Sequence, residues 1–176
     1  MTLPPILLSA DSLAERIRGL GAQLARDCAD ADDLHLICVL KGAFVFLADL
    51  VRTIDKATTI DFLAVSSYAK GTTSTGEVRL LKDLDVALDG RDVLIVEDIV
   101  DTGLTLHYLQ DILRARRPKS LRTVCLLSKP SRRKVEVPVD YIGFTIDDRF
   151  VVGYGLDFNG RYRSLPYIGV LDSDLS

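Results

Sequence analysis

The chain has 176 residues, of which 48% are hydrophobic and 27% are charged, and its formal net charge is −3. This length fits one ordinary domain with enough interior for a sheet flanked by helices, and it excludes a second full domain. The acidic balance gives no general attraction to nucleic acid or to anionic membranes, so small molecules are the expected ligands.

The N-terminus and the cysteines indicate where the protein works. The first eight residues contain neither a basic segment nor a long apolar region, and no run approaches the length of a membrane span. We therefore expect a cytoplasmic protein. Cys28, Cys38 and Cys125 are odd in number and widely spaced, which argues against a disulfide framework and against a zinc site, so free thiols are expected.

Helix-like and strand-like patterns alternate through the first two thirds of the chain. Apolar residues at helical spacing predict a first helix from Leu13 to Leu24, with a capping box formed by Ser12 and Glu15 near its start. There follow a strand near 34–40, a helix near 43–54, strands near 58–67, 78–82 and 93–97, a helix at 104–116 and a strand at 121–127. This order predicts an α/β fold with a mainly parallel sheet and helices on both of its faces.

The final third has a different pattern. Short β-like pieces near 139–144, 150–153 and 167–171 alternate with loops there, which suggests a hood over one edge of the sheet. We predict a single domain over residues 1–176. Its core spans about 34–145, and its hood consists of the N-terminal segment and about 146–176.

The most informative segment follows the buried strand at 93–97. Glu97 and Asp98 are followed by the run 99–105, which reads Ile-Val-Asp-Thr-Gly-Leu-Thr and leads into a helix. Ligands of open α/β sheets bind beyond the carboxyl ends of the strands, and a helix N-terminus attracts anions. The threonine hydroxyls and the glycine therefore fit a phosphate group.

The two carboxylates need a different ligand, because they would repel a phosphate. Glu97 and Asp98 are expected to accept hydrogen bonds from sugar hydroxyls, or to bind a hard cation such as Mg²⁺. Together with the phosphate loop, they predict a site for a sugar phosphate.

The thirteen residues 93–105 resemble the phosphoribosyl-diphosphate binding motif of type I phosphoribosyltransferases. Asp101 narrows the resemblance to the enzymes for 6-oxopurines, since those for adenine or orotate usually carry a non-acidic residue there. The chain is similar to hypoxanthine-guanine phosphoribosyltransferases over about residues 10 to 170. The resemblance implies a Mg²⁺-dependent pentosyltransferase of purine salvage, which transfers 5-phosphoribosyl from phosphoribosyl diphosphate to N9 of hypoxanthine or guanine.

The resemblance also assigns roles within the motif. Asp101 would bond N7 of the purine as a general acid or base, and Glu97 and Asp98 would favour the positive charge that develops on the sugar. Leu104 stands where relatives have a polar or basic residue, so it adds nothing to phosphate binding. The residues implied to contact the ribose and its 5-phosphate are Glu97, Asp98, Ile99, Val100, Asp101, Thr102, Gly103, Leu104 and Thr105.

Four further residues would form the purine pocket. By resemblance, Lys129 donates to the 6-oxo group, Phe150 stacks on the ring, and backbone groups near Val151 and Asp157 meet the purine edge. From composition alone, Lys129 and Asp157 would be predicted as surface charges and Phe150 as a core residue.

The remaining implied contacts involve the diphosphate and the metal. Lys41 and Gly42, a dipeptide often associated with a cis bond in this family, would contact diphosphate together with Arg163. Ser67 and Tyr68 match a pair on a mobile lid. Mg²⁺ would be held by Glu97, Asp98 and Asp157. A homodimer or homotetramer is implied, with no nucleic-acid or membrane partner.

Two alternatives stay open at this point. An RNA-binding regulator with the same fold would need a basic face and typically lacks an acid at the Asp101 position. A phosphoacceptor receiver domain also ends strands in Asp pairs, but has no use for a Thr-Gly-x-Thr loop. The basic clusters 114–119 and 132–134 are expected to be solvated faces or subunit contacts, and no catalytic role is expected for His35 or His107.

Overall fold

The computed structural model describes residues 3–67 and 78–171. The elements in chain order are β1 (Ile6–Leu8), α1 (Ala10–Asp27), β2 (Leu34–Leu40), α2 (Phe44–Val51), β3 (Thr58–Ser67), β4 (Val78–Lys82), β5 (Asp92–Val100), α3 (Leu104–Arg114), β6 (Ser120–Ser128), β7 (Tyr141–Thr145), β8 (Val151–Val152) and β9 (Ile168–Val170). A 3₁₀ turn at Pro130–Arg132 follows β6.

Two sheets organise the molecule. The larger has six strands in the order β4-β3-β2-β5-β6-β7, and all of its neighbours are parallel except β3 and β4. The smaller is antiparallel, in the order β1-β9-β8, so it joins the two ends of the described chain. The predicted α/β class, the mainly parallel sheet and the hood of terminal segments are confirmed.

The core has two layers because residues of each strand alternate between the faces of the sheet. In β2, Leu36 and Cys38 face the cluster that packs on α1 and α2, whereas Ile37 and Val39 face the cluster that packs on α3. Val151 and Ile168 of the small sheet also belong to the α1–α2 cluster. The small sheet therefore packs on the same hydrophobic cluster as α1 and α2.

Several predicted boundaries were wrong, including the end of α2, which is Val51 and not residue 54. The first helix begins at Ala10 and is capped by Ser9, whose Oγ accepts a hydrogen bond from the Ser12 N–H at 3.2 Å. A capping box at Ser12 and Glu15 does not form, because Ser9 already occupies the N-cap position and both residues lie inside the helix.

Strand β5 continues to Val100 instead of ending at residue 97. Ile99 and Val100 continue the pairing with β6, opposite Leu127 and Ser128. Glu97 and Asp98 therefore belong to a central strand, which holds their side chains more rigidly than a loop would.

The cysteines behave as predicted. Cys28, Cys38 and Cys125 are free and buried. Burial raises the pKa of Cys38 to about 12, with Glu97 and Asp98 adding to the effect. A thiol that resists ionisation is a poor nucleophile, so Cys38 serves the core and not the chemistry. No helix in the described ranges is long and apolar enough to cross a membrane.

Candidate active site

A polar cleft of about 340 Å³ lies beyond the carboxyl ends of β2 and β5. This is the expected place for a ligand of an open α/β sheet, because the crossover helices leave the strand ends accessible there. The residues predicted for the site that line this cleft are Lys41, Gly42, Glu97, Asp98, Ile99, Thr105, Asp157 and Arg163.

The two carboxylates of β5 differ in exposure. Glu97 is only 6% exposed, whereas Asp98 is half-buried at the cleft. Burial raises the pKa of Glu97 well above its usual range, and the neighbouring Asp98 charge adds to the rise. Burial also raises the pKa of Asp98 to about 6, although the Ile99 N–H, which donates to its Oδ1 at 2.7 Å, opposes the shift. A cation or a hydroxyl donor beside these two carboxylates stabilises their charged forms.

Gly42 makes the carboxylate site possible. A Cβ built at this position would lie 1.5 Å from Asp98 Oδ2, so any other residue would displace that carboxylate. The peptide bond before Lys41, from Leu40, is cis. Gly42 therefore approaches the Asp98 side chain closely, and its implied contact with diphosphate stays a prediction.

Gly155 continues the same contact from the hood. A Cβ there would lie 2.2 Å from the Gly42 carbonyl oxygen, and the residue has a φ of +98°. The turn after β2 is thus packed between β5 and the hood loop. Sequence reasoning missed Gly155, for which the Gly-Tyr-Gly run at 153–155 was the available signal.

The loop predicted to bind phosphate is shorter than expected, because only residues 101–103 lie between β5 and α3. Gly103, with a φ of +85°, is the N-cap of α3 and makes no side-chain capping bond. Thr102 Oγ1 accepts from the Leu104 N–H at 3.4 Å. The N-terminus of α3 therefore directs backbone N–H groups and positive partial charge at the loop, where they can bind an anion.

The basic cluster 132–134 is a solvated face at Arg132 and Lys134, which are exposed, but not at Arg133, which is half-buried. Arg133 donates through Nη1 to the Asp101 carbonyl oxygen at 2.7 Å and through Nη2 to Ser128 Oγ at 2.9 Å. The Lys134 N–H donates to the Thr102 carbonyl oxygen at 2.9 Å. These contacts fasten residues 101–102 to the segment after β6, and a run of like charges does not predict them.

The residues implied for the purine differ from what composition predicts. Lys129 is 7% exposed and its Nζ lies 3.9 Å from Asp148 Oδ1, so it is not a solvated surface lysine. Phe150 is 52% exposed and meets Phe158 edge to face at 5.6 Å between ring centroids. The expectation of a core phenylalanine is wrong, because about half of this side chain is exposed. Val151 is buried in β8.

Asp157 and Arg163 form a pair at the mouth of the cleft. Arg163 Nη2 lies 2.7 Å from Asp157 Oδ1, and its Nη1 donates to the Gly155 carbonyl oxygen at 2.6 Å. Neither is the lone surface charge that composition alone predicts. Within residues 3–67 and 78–171, no group of three His, Cys, Asp or Glu side chains gathers as a metal site.

Four predicted or excluded residues remain to be placed. Ser67 ends β3, while Tyr68 lies outside the described residues. His35 is buried, with Nδ1 2.8 Å from Thr59 Oγ1, and His107 lies 3.5 Å from Asp111 along α3. Neither histidine lines the cleft.

Comparison with known proteins finds relatives along almost the whole chain. The phosphoribosyl transferase domain family matches residues 7–159. The hypoxanthine-guanine phosphoribosyltransferase of Bacillus subtilis is 51% identical over 166 residues, which are 94% of this chain and 92% of that protein.

Solved structures agree with this result. A hypoxanthine-guanine phosphoribosyltransferase of Bacillus anthracis, with HEPES in its active site, has a TM-score of 0.92 and 46% identity over 97% of this chain and 100% of that one. A mutant hypoxanthine phosphoribosyltransferase of Trypanosoma cruzi, in a ternary complex with substrates, has a TM-score of 0.91 and 42% identity over 97% of this chain and 96% of that one.

Proposed function

This chain belongs to the phosphoribosyl transferase family, and we propose the residue roles below for its active site. Its activity is hypoxanthine-guanine phosphoribosyl transfer in purine salvage, as in the relatives that it matches over nearly their full length. The reaction joins the 5-phosphoribosyl group of phosphoribosyl diphosphate to N9 of a 6-oxopurine and releases diphosphate. The observation that carries the phosphoribosyl part of this assignment is the pair Glu97 and Asp98 in the same cleft as Thr105 of α3, and Asp101 narrows it to 6-oxopurines.

The segment 97–105 binds the ribose 5-phosphate. The backbone N–H groups of the α3 N-terminus, with the hydroxyls of Thr102 and Thr105, surround the phosphate. The carboxylates of Glu97 and Asp98 accept hydrogen bonds from the ribose hydroxyls. Gly103 supports this role because its left-handed backbone brings the loop round into the helix.

The cleft fits Mg²⁺ that arrives with the substrate. Mg²⁺ commonly binds through one or two carboxylates plus substrate phosphates and water, so a closed cage of protein ligands is not needed. Asp98 offers an oxygen donor, and because burial raises its pKa, a cation beside it stabilises the charged carboxylate. We propose that Glu97, Asp98 and Asp157 face the ion. When bound, Mg²⁺ neutralises charge on the leaving diphosphate. Arg163 and the backbone of Lys41 and Gly42 contact the same group.

The charged groups around the sugar assist the exchange of the bond from C1 to diphosphate for the bond from C1 to N9. As the bond between C1 and the diphosphate oxygen breaks, its electron pair leaves with diphosphate and positive charge develops on the ribose. Glu97 and Asp98 stabilise that charge electrostatically. N9 of the purine bonds to C1, and Asp101 accepts the proton that leaves N7.

The purine is recognised by Lys129, which directly follows β6, and by groups on the hood. The Lys129 ammonium donates to the 6-oxo group, which adenine lacks, and so selects 6-oxopurines. Phe150 stacks on the ring, while backbone groups near Val151 and Asp157 meet its edge. Ser67 and Tyr68 are proposed as part of a lid that excludes water from the reacting sugar.

We propose that the chain forms one domain and assembles as a homodimer or homotetramer. Ile60 and Phe62 of β3 are 44% and 37% exposed. They pair with Leu36 and Cys38, which face the α1–α2 core cluster, so the apolar face of the sheet extends beyond its helices. Apolar surface of this kind is typical of subunit contacts. Because all three cysteines are free thiols, we also place the protein in the reducing cytoplasm.

The test is a spectrophotometric assay with phosphoribosyl diphosphate and Mg²⁺, run in parallel on hypoxanthine, guanine, xanthine and adenine. Turnover of hypoxanthine or guanine without turnover of adenine supports the roles of Lys129 and Asp101. Equal turnover of adenine would contradict the proposed selection of the 6-oxo group. No turnover with any base, together with binding of RNA, would favour the regulator instead.

A further inference from the structure

A chain of alternating charges runs between the two side chains proposed to hold the purine. Asp101 Oδ1 lies 3.1 Å from Arg132 Nε. Arg132 Nη1 lies 3.6 Å from Asp148 Oδ2, and Asp148 Oδ1 lies 3.9 Å from Lys129 Nζ. Arg132 and Asp148 themselves are not among the groups assigned to substrate above.

Arg132 is suited to the middle of this chain. Its guanidinium is planar and carries donors in a fixed fork, so that Nε and Nη1 can serve two carboxylates at the same time. Its backbone is also fixed relative to Lys129, because the Arg132 N–H donates to the Lys129 carbonyl oxygen at 3.2 Å across the 3₁₀ turn. The side chain that restrains Asp101 is thus built on the turn that begins at Lys129.

Binding of the purine requires a defined distance between Asp101 and Lys129. N7 and the 6-oxo group occupy neighbouring positions on one edge of the ring, so Asp101 and Lys129 must be correctly spaced to bind both of them. The Asp101 side chain is 40% exposed, and without a partner it could rotate away from the purine. Misplacement of a binding group by a fraction of an ångström reduces catalysis strongly.

We propose that Arg132 is a positioning residue for purine binding, which bridges Asp101 and Asp148 and thereby holds Asp101 at a fixed separation from Lys129. This inference rests on the proposed function, since it takes the roles of Asp101 and Lys129 from there. The role of Arg132 therefore concerns affinity for the purine base and not the binding of phosphate or metal. Loss of Arg132 affects the base and leaves the binding of phosphoribosyl diphosphate intact.

The experiment measures KM for hypoxanthine and KM for phosphoribosyl diphosphate in Arg132→Gln, Arg132→Lys and Asp148→Asn. We expect Arg132→Gln to lower kcat/KM for hypoxanthine roughly tenfold through lost orientation, while KM for phosphoribosyl diphosphate stays unchanged. Arg132→Lys should recover part of the loss, because one ammonium replaces the charge but not the fork. The double variant Arg132→Gln/Asp148→Asn should lose no more than the worse single variant, because the two residues act as one unit.

The matched control is Arg161→Gln, which removes the same charge from an exposed arginine of the hood. Thermal unfolding of every variant separates a positioning defect from loss of the fold. Arg132→Gln kinetics equal to those of the control, or an equal rise of both KM values, would overturn this inference while the activity itself stands. A wild-type protein without turnover of any 6-oxopurine would overturn the proposed function, and this inference with it.

Discussion

At the scale of single residues, the site depends on carboxylates whose neighbours set their behaviour. Asp101 is held from both sides, since Arg132 contacts its side chain and Arg133 its carbonyl oxygen. Asp98 is held by the strand and by the close approach of Gly42. Substitutions that change charge and preserve shape therefore test these residues without disturbing the packing.

Asp101→Asn removes the proposed proton acceptor and keeps the size of the side chain. We expect kcat to fall roughly 10²- to 10⁴-fold, the range for a positioned proton-transfer group. Binding of phosphoribosyl diphosphate, measured by titration calorimetry with Mg²⁺ present, should be retained because the phosphate contacts come from the loop backbone. An unchanged kcat would refute the role of Asp101.

Asp98 should make the stability of the unliganded protein depend on pH. Its folded-state pKa is raised to about 6, so between pH 8 and pH 5 the folded state takes up a proton that the unfolded state does not. Stability from this group therefore rises as pH falls through about 6. We expect Asp98→Asn to raise Tm by several degrees at pH 8, equivalent to about 2 kcal/mol, and by about half as much near pH 5, because the unfolded-state carboxyl is still ionised there.

The measurement is Tm of the wild type and Asp98→Asn across this range in the presence of a chelator. Asp30→Asn, at an exposed carboxylate, is the matched control and should follow the wild type at every pH. A gain for Asp98→Asn that stayed constant from pH 5 to pH 8 would contradict the raised pKa.

At the scale of elements, the hood is fastened to the main sheet through α2. The Tyr154 hydroxyl donates to the carboxylate of Asp49 on α2, and Tyr154 has a φ of 50° in the loop that also carries Gly155. Burial raises the pKa of Tyr154, and the Asp49 carboxylate raises it further, so the hydroxyl keeps its proton. The hood loop that carries Tyr154 and Gly155 is thereby held against α2.

Tyr154→Phe removes this hydrogen bond and keeps the ring. We expect a loss of about 1–2 kcal/mol, at the lower end of the range for hydrogen bonds to charged groups, because the Asp49 side chain is 38% exposed. Tm measured by circular dichroism should fall by about 2–6 °C. Tyr167→Phe is the control, because the Tyr167 hydroxyl makes only a 3.4 Å contact with the Pro4 carbonyl oxygen. Equal Tm values for the two variants would contradict a stabilising role of the link between Tyr154 and Asp49.

At the scale of the whole molecule, the apolar face of β3 is left exposed by the rest of residues 3–67 and 78–171. Phe44 at the start of α2 and Leu81 of β4 are also exposed, at 44% and 63%. Covering such side chains with a second copy gains free energy in proportion to the apolar area buried.

Phe62→Lys places a charge on this face and should reduce the assembly to monomers in sedimentation velocity. Ile6→Lys, at an apolar residue of the small sheet that is 62% exposed, is the matched control and should leave the assembly unchanged. A wild-type protein that sediments as a monomer would contradict the proposed homo-oligomer, and a Phe62→Lys protein that stays assembled would place the contact elsewhere.

The sequence by itself determined the order and type of most elements and the nature of the central site. Strands at 34–40, 58–67 and 78–82 have the predicted bounds because alternation and apolar runs are local properties of the chain. The carboxylates, Gly103 and the start of α3 lie within a few residues of one another. Short-range chemistry was therefore sufficient to predict a sugar-phosphate site there.

Only the tertiary structure decided which distant groups complete that site. Arg132 and Arg133 lie about thirty residues from Asp101, and Asp49 lies 105 residues from Tyr154. The contact between Gly155 and Gly42 is also made between different elements. No periodicity or cap connects such positions, because their contacts arise from the packing of whole elements. The same reason explains Lys129 and Phe150, whose burial and exposure are set by the hood and not by the residues beside them.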